Sequence, residues 1–165
     1  MNFAKINDIS IHFNYINNGV NKPTVVFSNS LGTDFRIWES CVENLSNDYS
    51  ILTYDKRGHG LSGLGNSPYV IHDHVADLID LMDHLKISEA VLVGLSVGGL
   101  IIQGVYHKRP DLVQGLILCD TAAKIGNEQM WNDRIAIARE GGLEARLEGN
   151  MQRWFSPNFH KNRQV

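Results

Sequence analysis

A chain of 165 residues, with 43% apolar and 20% charged side chains, has the size and composition of a soluble globular protein of one domain. Its formal net charge of −3 supplies no electrostatic footprint for nucleic acid or an anionic membrane surface, so neither is expected as a partner. Cys41 and Cys119 are too few for a disulfide framework; both are expected as small packing residues in a reducing compartment. No apolar run reaches signal-peptide or membrane-spanning length, which makes the cytoplasm the expected location.

In chain order, Ile9 to Ile16 alternates at strand period and ends at the turn signal Asn17-Asn18-Gly19, giving an opening strand or hairpin. Thr24 to Phe27 is a β-branched and aromatic run, followed by a polar loop from Ser28 to Asp34 and an amphipathic segment from Phe35 to Leu45. The pattern repeats with a strand at Ser50 to Tyr54, a loop Asp55-Lys56-Arg57-Gly58-His59-Gly60-Leu61-Ser62, and a helix bearing Val75, Leu78, Ile79, Met82 and Leu85 on one face. It repeats again with Ala90 to Val93 and a helix from about Val97, closed by Lys108, Arg109 and Pro110, before a further strand at Val113 to Leu118. Apolar strands alternating with helices imply an α/β fold: a mostly parallel sheet covered by helices on both faces. Beyond Asp120 no strand signal recurs; helices are expected at Glu128 to Arg139 and Leu143 to Phe155, separated by Gly141-Gly142. The expected organisation is a core over residues 1–123 and the start of a helical lid over 124–165.

The chemistry centres on Gly94-Leu95-Ser96-Val97-Gly98, a GxSxG pattern between the strand at Ala90 and the helix at Val97. A chain turning that sharply needs small residues on either side of the serine, and the turn holds the hydroxyl at the carboxyl edge of the sheet. Ser96 is therefore the candidate nucleophile, and the N–H of Val97 a candidate oxyanion donor. A second donor is expected from the loop after the earlier strand, at the N–H of Leu31. The bland alternative for both segments is a Gly-rich turn and an ordinary loop with a helix cap.

The segments Ser28 to Asp34, DKRGHGLS at Asp55 to Ser62 and GLSVGG at Gly94 to Gly99, in that order and spacing, resemble the α/β-hydrolase fold. HKRPDL, then Asp120-Thr121-Ala122-Ala123-Lys124-Ile125-Gly126, Met130-Trp131 and Arg134-Ile135, resemble its 3-oxoadipate enol-lactonase branch. The resemblance implies hydrolysis of a small carboxylated enol-lactone, or of a related ester, without metal or organic cofactor. In that family the triad acid and histidine follow the lid, so both are expected beyond residue 165, and residues 1–165 alone are expected to give negligible turnover. The strand at Val113 to Leu118 would then be an open edge, needing the remaining half or another copy to cover it.

None of the histidines present is expected to replace the missing base. His59 lies in a turn that the family uses structurally, His72, His74 and His84 belong to one helix, His107 sits near a helix C-terminus, and His12 and His160 have no partner pattern. Asp120 is expected as a loop cap, with orientation of a triad histidine as its functional alternative; Asp55 and Arg57 read as a turn-fixing pair. Trp131 and Arg134, at i and i+3, are either lid packing with a solvated cation or a pocket wall whose guanidinium meets a substrate carboxylate. Competing readings keep the fold with another activity (carboxylesterase, cofactor-free haloperoxidase-like or carbon–carbon bond hydrolase) or take the chain as a non-catalytic binding module.

Overall fold

The computed structural model describes residues 2–19, 21–142 and 144–162. The chain divides into two compact units, Met1–Ile125 and Gly126–Val165. In the first, strands β1 (Asn2–Ile6), β2 (Ile9–Ile16), β3 (Thr24–Ser28), β4 (Ser50–Tyr54), β5 (Ala90–Leu95) and β6 (Val113–Cys119) form a sheet in the order β1-β2-β4-β3-β5-β6. Helices α1 (Glu39–Leu45), α2 (Ile71–His84) and α3 (Val97–Lys108) connect them, with a 3-10 turn at Phe35–Trp38 leading into α1.

The central run β4-β3-β5-β6 is parallel, whereas β1 and β2 are antiparallel additions at one edge. A hairpin does form, but not at the expected Asn17-Asn18-Gly19 turn, after which β2 pairs with β4: it joins β1 to β2, with Asn7 and Asp8 at φ 45° and 66° between the paired Ile6 and Ile9. Asn and Asp tolerate that conformation best among residues other than glycine, and two such residues match the twist of a tight hairpin.

Both faces of the sheet are covered, which explains why the strands read as unbroken apolar runs. Val26 sits in register with Leu52 on one side and Leu92 on the other, and this row packs with Leu78, Met82, Ile101 and Ile102 of α2 and α3. The alternate residues Val25, Phe27, Ile51 and Val93 point the other way and enclose Trp38, with Val42 and Leu45 of α1 against them. At the far edge, β6 leaves Ile117 and Leu118 51% and 48% exposed. Cys41 departs from expectation: it lies on the outer side of α1 and is exposed, while Cys119 is half-buried.

The second unit contains α4 (Glu128–Gly141), a 3-10 turn at Glu144–Arg146, α5 (Leu147–Trp154) and α6 (Pro157–Asn162). Asn127 caps α4 by accepting the Met130 N–H at 2.9 Å, and Gly142 ends it at φ 70°. The expected helix start at Leu143 lies outside the described residues. The short α6 was not anticipated; Pro157 at its first position and the stacked rings of Phe155 and Phe159, 4.3 Å apart, account for it. No helix among the described residues is long and apolar enough to cross a membrane.

Candidate active site

Parallel register brings two chain exits to the same sheet edge. Ser28 at the end of β3 pairs with Gly94 in β5, so the loop from Asn29 and the turn at Ser96 leave the carboxyl edge side by side. Ser96 turns the chain from β5 into α3 at φ 55°, ψ −117°, a conformation that costs a non-glycine residue about 1–3 kcal/mol and persists only where its surroundings impose it. Its N–H donates to Cys119 O at 2.9 Å, and its carbonyl accepts from Gly99 N–H at 2.9 Å and Thr121 Oγ1 at 2.7 Å. The backbone is therefore held from both sides. The hydroxyl does not cap α3 as an N-terminal serine ordinarily would, which leaves it uncommitted to its own helix.

The flanking glycines are explained by close approach. A Cβ on Gly94 would lie 2.6 Å from the Gly98 backbone, and one on Gly98 would lie 2.0 Å from Ser28 O and 2.9 Å from Asn29 O. The first turn of α3 thus backs directly onto the end of β3. That contact sets the loop holding Leu31 beside the helix start whose first N–H belongs to Val97. Leu31 itself is exposed, and Val97 opens a helix whose first amides have no intrahelical acceptor.

The loop after β4 carries a dense set of buried polar contacts. Asp55 is not paired with Arg57, which corrects the turn-fixing pair: each fixes the loop through a different partner. Asp55 accepts from His12 Nδ1 at 2.8 Å, Leu61 N–H at 3.0 Å and Phe35 N–H at 2.9 Å. Arg57 makes a two-pronged pair with Asp77 of α2, both contacts at 2.7 Å, and Asn7 joins the same carboxylate at 3.2 Å. His12, for which the sequence suggested no partner, is therefore partnered, and its ring lies between Phe3 and Phe35 with centroids 5.0 and 4.9 Å away. A Gly60 side chain would collide with Asp55 at 2.1 Å, so the loop's tightness depends on that glycine.

His59 is occupied at both ring nitrogens: Nε2 accepts the Gly32 N–H at 3.1 Å, and Nδ1 stands 3.1 Å from Arg57 O. Burial, reinforced by the nearby Lys56 ammonium, holds its pKa below the ordinary histidine range. Lys56 was missed by sequence reasoning. It is 1% exposed, and its Nζ donates to Asn29 O and Ser30 O, each at 3.0 Å. Burial pushes its pKa down to about 7. Asp120 is exposed at φ 41° just beyond β6. In the second unit, the Arg134 guanidinium lies 4.9 Å from the Trp131 ring centroid, a cation–π contact.

Residues 23–162 match the model of the alpha/beta hydrolase fold family. The chain belongs to that family. It is 38% identical over 150 residues to 3-oxoadipate enol-lactonase 2 of Acinetobacter baylyi, covering 90% of this chain and 56% of that protein. It is 37% identical to 3-oxoadipate enol-lactonase 1 of the same organism, covering 89% and 55%. Among solved structures, the enol-lactonase from Burkholderia xenovorans superposes with a TM-score of 0.92 at 37% identity, covering 97% of this chain and 62% of that one. The chain thus spans little more than half the length of the relatives it matches.

Proposed function

We propose that the chain is the nucleophile-bearing part of a serine hydrolase that opens a small carboxylated enol-lactone. The observation that carries the proposal is Ser96 at φ 55°, its backbone pinned by Cys119, Gly99 and Thr121 while its hydroxyl stays free of its own helix. In this reading Ser96 Oγ attacks the lactone carbonyl carbon, its proton passing to a base, and the carbonyl oxygen becomes an oxyanion received by the amides of Val97 and Leu31. Collapse breaks the ring C–O bond, leaving an acyl-enzyme whose released enol oxygen takes the proton; water then hydrolyses the acyl ester and restores Ser96. His59 and His12 are committed elsewhere, and in this reading the base and its orienting acid come from polypeptide outside the described residues. The exposed apolar edge of β6 supports the accompanying proposal that further polypeptide, from this protein's own longer chain or a second copy, pairs there.

Similarity to enol-lactonases favours a carboxylated lactone as substrate, and Arg134, held against Trp131, is proposed to bind a carboxylate of it. The test uses the full-length protein. Ser96→Ala should lower kcat by at least about ten-thousandfold and abolish labelling by a fluorophosphonate probe. Arg134→Ala should raise KM for the carboxylated lactone by about tenfold or more and leave an uncharged aryl acetate unaffected. Retained turnover in Ser96→Ala would overturn the nucleophile assignment.

A further inference from the structure

The loop after β4 grips the loop after β3 by its peptide groups. Ser30 O receives two donors, Lys56 Nζ and Thr33 Oγ1, both at 3.0 Å, and Asn29 O receives Lys56 Nζ as well. One peptide further on, Gly32 N–H is bound by His59 Nε2. Arg57 O can only accept, so His59 carries its proton on Nδ1 and presents Nε2 as an acceptor. Asp55, anchored by His12 and Leu61, takes the Phe35 N–H at the end of the same loop.

A trans peptide is planar, so the oxygen of Ser30 and the N–H of Leu31 point in opposite directions. Fixing Ser30 O on the buried ammonium therefore aims the Leu31 N–H away from Lys56. Turning that peptide over would break both bonds to Ser30 O and strip the buried Lys56 Nζ of one of its two acceptors. The Gly32 bond to His59 holds the next peptide unit, so Leu31 sits between two fixed planes.

We propose that Lys56 and His59 are positioning residues that lock the Leu31 amide in the direction an oxyanion donor requires, making the loop after β4 a built-in clamp on the oxyanion loop. The clamp rests on the serine-hydrolase reading above and assigns it residues that never touch substrate. Charge supports the arrangement: burial and then Lys56 disfavour a second proton on the His59 ring, outweighing the Arg57 carbonyl bond and Asp55, which work the other way, so the acceptor that Gly32 needs is maintained.

Steady-state hydrolysis of p-nitrophenyl acetate by the full-length protein tests this. Lys56→Met should lower kcat by about thirtyfold or more with KM within about threefold, approaching the hundredfold expected for a lost oxyanion donor. His59→Leu should show the same split, whereas His59→Gln, whose amide oxygen reaches the Nε2 position, should recover most of the rate. Ile87→Ala removes a buried side chain just before β5, at the end of that strand opposite Ser96, and controls for destabilisation; its melting point should fall while kcat stays within about threefold. If Lys56→Met does not fold, the two His59 variants decide by the same criterion. Normal kcat in the folded Lys56 or His59→Leu variants, with Ser96→Ala inactive, overturns the clamp alone. An active Ser96→Ala overturns the hydrolase reading and the clamp with it.

Discussion

Helices α3 and α4 are of similar length, 12 and 14 residues, and both are legible from sequence, yet they are built on opposite terms. α3 buries Gly98, Gly99, Ile101, Ile102 and Val105 and meets the end of β3 backbone to backbone. α4 buries none of its residues, and it carries local contacts in the Asn127 cap and the Arg134 guanidinium over the Trp131 ring. The first helix is enclosed by what surrounds it; the second keeps its side chains at the surface. Substitutions should therefore be punished in α3 and absorbed in α4.

The most severe way to break this contrast is Gly98→Ala. A Cβ there overlaps Ser28 O at 2.0 Å, and neither backbone can yield, so the loss should exceed about 4 kcal/mol and appear as failure to recover folded protein. Next, Ile101→Ala in α3, fully buried, should cost about 3 kcal/mol in urea unfolding, against less than about 0.5 kcal/mol for Ile135→Ala, which is 46% exposed in α4. Equal costs would erase the distinction between the two helices.

A smaller effect is expected from His74 of α2. Its Nδ1 is buried without a hydrogen-bond partner among the described residues, and burial, with Lys56 nearby, pushes its pKa down to about 4. The unfolded ring binds its proton near pH 6.5 and the folded one only near 4, so stability should fall as pH drops through that window and level off below it. Discounted for the solvent the ring still meets, the loss is about 1–2 kcal/mol, and His74→Gln should flatten the dependence of the urea midpoint on pH between 6.5 and 4. The smallest effect has the opposite sign. Ser96→Gly relieves the positive φ and should gain about 1 kcal/mol while abolishing turnover, as expected of a strained functional corner.

Much of this was written in consecutive residues. The runs Thr24 to Phe27, Ser50 to Tyr54 and Ala90 to Val93 announce strands buried on both faces, and Gly94, Ser96 and Gly98 announce the turn, because local sterics and periodicity act over a few neighbouring positions. The antiparallel β1 was weakly signalled, since Asn2–Ile6 offers only Ala4 and Ile6 to the core. What tertiary structure alone decided were the partners of the buried polar groups. His12 finds Asp55, Arg57 finds Asp77, and Lys56 finds the carbonyls of Asn29 and Ser30, across separations of 43, 20, 27 and 26 residues. A sequence pattern reports which face of an element is apolar, but the burial of a charge depends on whether distant backbone arrives to satisfy it, and only the folded chain brings that backbone into place.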